Sequence, residues 1–111
     1  MNAQRTPHVH AATVRLRPDT DPAAVGSAVT VELCGHWDHE GPCRWPHNNA
    51  IEEPGPVAAF RTVFVAPGAD VDEVHARIDR ALRSSTEWTV LESAPRAPTE
   101  DERALGEGLV T

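Results

Sequence analysis

Residues 57–83 read VAAFRTVFVAPGADVDEVHARIDRALR, and this stretch decides the fold class. Val57 to Ala66 is rich in β-branched and aromatic side chains. Phe60 and Phe64 fall on one face and Arg61 on the other, which predicts a strand. Pro67-Gly68 ends it. Asp70-Val71-Asp72-Glu73 then has the form of a capping box, Asp70 accepting from the Glu73 amide while Glu73 reaches back to cap Asp70. Val71, Val74, Ile78, Ala81 and Leu82 follow at helical spacing, so a helix with one buried face is expected. Asp72 and Glu73 near its start and Arg83 near its end suit the helix dipole.

Toward the N-terminus, His8 to Arg17 reads as a strand stopped by the turn signal Pro18-Asp-Thr-Asp-Pro22. Ala28 to His36 alternates, with Val29, Val31 and Leu33 on one side and Thr30, Glu32, Cys34 and His36 on the other. A second strand is expected there, with Cys34 and His36 side by side on its solvent face. A long loop continues through Asn48-Asn49 and Pro54-Gly55-Pro56. Toward the C-terminus, Ser84-Ser85 closes the helix, and Glu87 to Glu92, carrying Trp88 and Val90, reads as a fourth strand. The expected fold is therefore α+β: a mostly antiparallel four-stranded sheet in the order β-β-β-α-β, with one helix on one face. Residues 8–93 form the domain, and residues 94–111 are expected to be a flexible acidic tail with one helical turn around Glu102 to Leu105. One helix leaves the other sheet face to solvent or to a second copy of the chain, so a homodimer through that face is an expectation.

The chain of 111 residues carries 10 Arg, no Lys and a formal net charge of −7, which disfavours nucleic acid and anionic lipid as partners. No apolar run is long enough to span a membrane and no basic leader precedes an apolar stretch. A cytoplasmic location is expected, and with it reduced thiols.

The chemistry concentrates in Cys34-Gly-His36-Trp-Asp-His39-Glu-Gly-Pro-Cys43-Arg-Trp-Pro-His47. The window holds five of the chain's eight Cys and His residues, about five times what random scatter would place there. Imidazole and thiolate are the donors zinc prefers, with copper the second choice. Cys34, His36, His39, Cys43 and His47 are the candidate metal ligands of a loop spanning residues 34–47. Cys34, His36, Cys43 and His47 make one tetrahedral set, His39 competes for any imidazole position, and a fifth donor would orient a ligand from outside. The spacing C-x-H-x2-H-x3-C-x3-H matches no named metal motif.

The leading expectation is a small metal-binding protein with a structural or metal-handling role. The alternative is a small metalloenzyme, in which a metal-bound water has Glu32 as base, Glu32 standing two residues before Cys34 on the same strand face. Asp38, Glu40, Glu52 and Glu53 are further carboxylates near the cluster. A Cys34–Cys43 disulfide and a polar loop of hydrogen-bonded histidines are the two readings without metal. Trp37 and Trp45 roof the loop or fill the sheet end, or, with Arg44, stack on a base or ring. His8 and His10 share the core face of the first strand with Ala12, Val14 and Leu16, opposite to Cys34 and His36, and are set apart from the cluster. His75 lies beside the apolar stripe of the helix and reads as structural. The run CGHWDHEGPCRWPHNN at residues 34–49 resembles small uncharacterised actinobacterial proteins, and that resemblance implies no activity.

Overall fold

A computed structural model describes residues 5–34, 45–52 and 55–109. Among them run β1 (Arg5–Leu16), α1 (Ala23–Cys34), β2 (His47–Glu52), β3 (Val57–Pro67), α2 (Val71–Arg83), β4 (Trp88–Arg96) and α3 (Glu100–Gly108). The sheet order is β2-β3-β1-β4, and every neighbouring pair is antiparallel. The fold is α+β with a four-stranded antiparallel sheet. Its element order is β-α-β-β-α-β-α rather than β-β-β-α-β. The first six elements form the split β-α-β arrangement, in which each β-α-β unit leaves a one-strand gap that the other fills.

The second strand expected at residues 28–36 is helix α1. Its buried residues are Val25, Val29 and Leu33, four apart, whereas Val31 is 44% exposed. The alternation of Val29, Val31 and Leu33 was one face of a helix plus one outward valine. The helix start lies at the end of the turn signal: Asp21 Oδ1 accepts from the Ala23 amide at 3.0 Å, and Pro22 immediately precedes the helix. β2 takes up part of the expected loop. It lies close beneath α1, where a Cβ on Gly26 would stand 3.1 Å from Asn49 Nδ2. α1 and α2 pack together on one sheet face. Val25, Val29 and Leu33 of α1 and Val74, Ile78 and Leu82 of α2 share one core with Ala12, Val14, Ala58, Phe60, Phe64 and Trp88.

The helix expected after Asp70 is present, but its capping box does not form. A single 3-10 turn, Gly68–Asp70, precedes α2 and leaves Asp70 at φ −97° and ψ −10°, already helical, with no side-chain cap. A capping side chain needs an extended backbone at that position. Asp70 instead accepts the Trp45 indole N–H at 3.2 Å, and Glu73 accepts from Arg77 at 2.9 Å.

A capping box does form where a tail was expected. Thr99 Oγ1 accepts from the Glu102 amide at 3.1 Å, and Glu102 Oε1 accepts from the Thr99 amide at 2.9 Å, opening α3. Thus residues 100–108 are a helix, not loose chain. α3 lies on the sheet face opposite α1 and α2, tied down by paired hydrogen bonds from Arg61 Nε and Nη2 to Glu102, each 2.8 Å. Bidentate contact from the Arg61 guanidinium, whose hydrogen bonds outweigh the effect of burial, draws the Glu102 carboxyl down to about 2. So the second face is partly covered by the chain itself, and Ala11, Thr13, Ala59 and Arg96 line the shallow part that α3 leaves.

Gly106 makes this packing possible. A Cβ there would sit 2.6 Å from Pro7 Cβ and 3.2 Å from Val63 Cγ1. We expect Gly106→Val to lift α3 from the sheet at a cost of about 1–3 kcal/mol. Hydrogen exchange should show amides 100–109 losing protection while those of α2 keep theirs. Equal protection in the variant and the parent would mean α3 is not docked through Gly106.

β4 begins one residue later than expected and runs on to Arg96. Its register with β1 shifts between Thr13↔Glu92 and Val14↔Val90, so Leu91 is an extra residue, 46% exposed. The bulge changes which side chains face the helices. Before it, Trp88 and Val90 point inward; after it, Ser93 does, opposite Ala12 and next to His10.

Candidate functional site

The metal-ligand expectation falls at the junction of α1 and β2. Cys34 is the last residue of α1 and His47 the first of β2, with Cys34 Sγ 3.9 Å from His47 Nδ1. Two ligands of a tetrahedral zinc, one sulfur and one nitrogen, stand roughly 3.5 Å apart, so the pair is close to ligating geometry. Cys34 is engaged in a disulfide. His36, His39 and Cys43 lie outside the described residues. Among the described residues, no group of three or more His, Cys, Asp or Glu side chains gathers where a metal could be held.

His47 is fixed from three sides. Its Nε2 is 3.0 Å from Thr30 Oγ1, and its Nδ1 is 3.2 Å from the Trp45 carbonyl. Asn49 Nδ2 donates to Thr30 Oγ1 and to the Gly26 carbonyl, both at 3.1 Å, which ties the same helix turn to β2. Burial pushes the His47 imidazole below its ordinary value, with the hydrogen bond to Trp45 opposing, so the ring is neutral near pH 7. A neutral, oriented imidazole is what a metal takes.

Glu32 does not join Cys34. On a helix, residues two apart point to nearly opposite sides. Glu32 turns to α2, meeting Arg77 at 3.4 Å and Arg80 at 3.6 Å. The carboxylate expected as a base is committed to two guanidiniums. Trp45 fills the sheet end: it is 2% exposed and lies under the Arg77 guanidinium at 5.1 Å from the ring centre. Trp37, Asp38, Glu40, Arg44 and Glu53 are outside the described residues.

A second cluster, set aside in the sequence, lies between α2 and the sheet. His10 is 2% exposed, its Nδ1 is 2.9 Å from His75 Nδ1, and its Nε2 is 2.8 Å from Ser93 Oγ. Ser93 also lies near the Asp79 carboxylate and helps keep it charged. Asp79 in turn accepts from Arg83 Nε at 3.0 Å and 3.1 Å. Burial works against the Asp79 charge, but hydrogen bonds from Ser93 and Arg83 and the Arg83 charge outweigh it and hold the carboxyl below its ordinary value. Burial, reinforced by His75, lowers His10 to about 4, with Asp79 opposing and Arg96 adding to the fall. His75 is lowered by burial and then by His8, with Asp72 opposing. Nearby, the His8 ring stacks on Phe64 and Phe64 meets the His75 ring edge-on.

Two neutral rings whose Nδ1 atoms stand 2.9 Å apart share one proton between them, so one Nδ1 donates and the other accepts. Both signals were present in the sequence. His10 sits on the strand's core face, and His75 follows Val71 by four and precedes Ile78 by three. The bulge that turns Ser93 inward had no such signal.

The chain matches no family model, no curated protein and no solved structure. Among the described residues, no helix is long and apolar enough to cross a membrane.

Proposed function

We propose that this is a small metal-binding protein, zinc first and copper second, whose site forms at the α1–β2 junction. What supports the reading is the pairing of Cys34 with a buried, neutral, doubly oriented His47, 3.9 Å away. His36, His39 and Cys43 are the remaining donors of the proposal. Because Cys34 is engaged in a disulfide, the site loads only after reduction frees the thiolate. Cys34 and His47 Nδ1 would hold the metal, and the His47 proton would then sit on Nε2 and donate to Thr30 Oγ1. The role is structural or metal-handling. An open-site metalloenzyme would need a base other than Glu32, and the sheet face that α3 leaves bare is where a second copy would dock.

The disulfide favours one other reading, a purely structural staple at the end of α1. Native mass spectrometry after zinc addition separates the two. The metal reading expects about one zinc per reduced chain and none per oxidised chain, with His47→Ala losing it. Reduced protein that stays metal-free would leave the staple.

A further inference from the structure

We propose that the contact between His75 and His10 forms a proton-operated latch that holds α2 against β1 and releases it on acidification. The contact crosses the α2–sheet boundary, Nδ1 to Nδ1 at 2.9 Å, and Ser93 Oγ holds the far side of the His10 ring at 2.8 Å. In the neutral state one Nδ1 donates and the other accepts.

A first added proton enters at Nε2 of the donating ring and leaves the Nδ1–H···Nδ1 bond standing. A second has only the accepting ring's Nδ1 to occupy. Two N–H groups would then face each other across 2.9 Å, with two positive rings in contact. The bond that joined α2 to β1 becomes a repulsion.

The surroundings make this step sharp rather than buffered. From β1 the pair is faced by His8, and from β4 by Ser93 and Arg96. α2 itself contributes Asp72, Asp79 and Arg83, and β3 contributes the uncharged Phe64 and Thr62. Asp79 is already bound by Arg83. On its other flank α2 remains attached to α1 through Glu32, Arg77 and Arg80. Acidification therefore loosens the helix from the sheet along its His75–Asp79 side first.

Nitrogen-15 NMR of histidine-labelled protein tests the shared proton directly. At neutral pH, one of His10 and His75 should carry its proton on Nδ1 and the other on Nε2. Native-state hydrogen exchange, corrected for intrinsic rates, then tests the release. Between about pH 7 and pH 4.5 the α2 amides should lose roughly tenfold more protection than those of β3. His10→Leu, which removes one ring of the pair, should abolish that difference. If this variant does not fold, the wild-type tautomers and exchange rates decide alone. Both rings protonated on Nε2 at neutral pH, or α2 and β3 losing protection in step, would overturn the latch.

Discussion

Replacing Trp45 by alanine should lower the stability of the domain by about 4 kcal/mol, the range found when a buried aromatic side chain is removed from a core. The indole is 2% exposed and belongs to the same buried cluster as Phe60, Phe64, Val74 and Leu33. It also joins three parts of the chain. Its N–H donates to Asp70 at the start of α2, its face receives Arg77, and its carbonyl contacts the His47 ring. Urea unfolding would measure the loss. Trp45→Phe keeps most of the ring and gives up the hydrogen bond to Asp70, so its cost should be nearer about 1 kcal/mol. The two variants separate packing from hydrogen bonding. An alanine variant within about 1 kcal/mol of the parent would remove Trp45 from the core.

Acid should cost the domain about 3 kcal/mol through His10 alone, the equivalent of a fall from 6.5 to about 4. His10 gives up proton affinity on folding, so the unfolded chain binds the proton more tightly. The stability it contributes is complete above about pH 6.5 and drains away as the pH falls toward 4. His8, His47 and His75 are lowered too, each with burial as the leading cause, and add in the same direction. Glu102, at about 2, adds its own loss only at lower pH, as its carboxylate is protonated. Denaturation midpoints at about pH 7.5 and pH 4.5 provide the check. His10→Leu should flatten most of the difference; a midpoint unchanged across that range in the parent would mean His10 titrates alike in both states.

The sequence was readable where side-chain periodicity and local geometry agree. The β3–α2 stretch is one case: Phe60 and Phe64 face inward, and Val74, Ile78 and Leu82 are buried, as their spacing implies. It misled where a short apolar run fits two periods. Val29 and Leu33 are two strand repeats apart and also one helical turn apart, so only Asp21 and Pro22 could separate the cases. The Glu102 end of α3 carried a capping signal, masked by the acidic, proline-bearing character of its surroundings. Of the candidate site, the sequence named five possible donors, and the described structure places two of them, Cys34 and His47, together. Glu32 followed the wrong secondary structure and so the wrong face. The His10–His75 pair was legible residue by residue, but its meeting depends on α2 crossing β1, a contact of residues 65 apart.

The position of β1 between β3 and β4 governs how the chain can be born. β1 leaves the ribosome first, yet its neighbours on both sides are made much later: Val14 waits for Ala58 on one flank and Val90 on the other. Until β4 emerges, an inner strand of the finished sheet is an open edge carrying buried-type side chains at Val9, Ala12 and Val14. All four strands must therefore be synthesised before the sheet can close. Folding is dominated by long-range pairing, and a nascent chain stalled before β4 presents a sticky strand to chaperones and to other nascent chains.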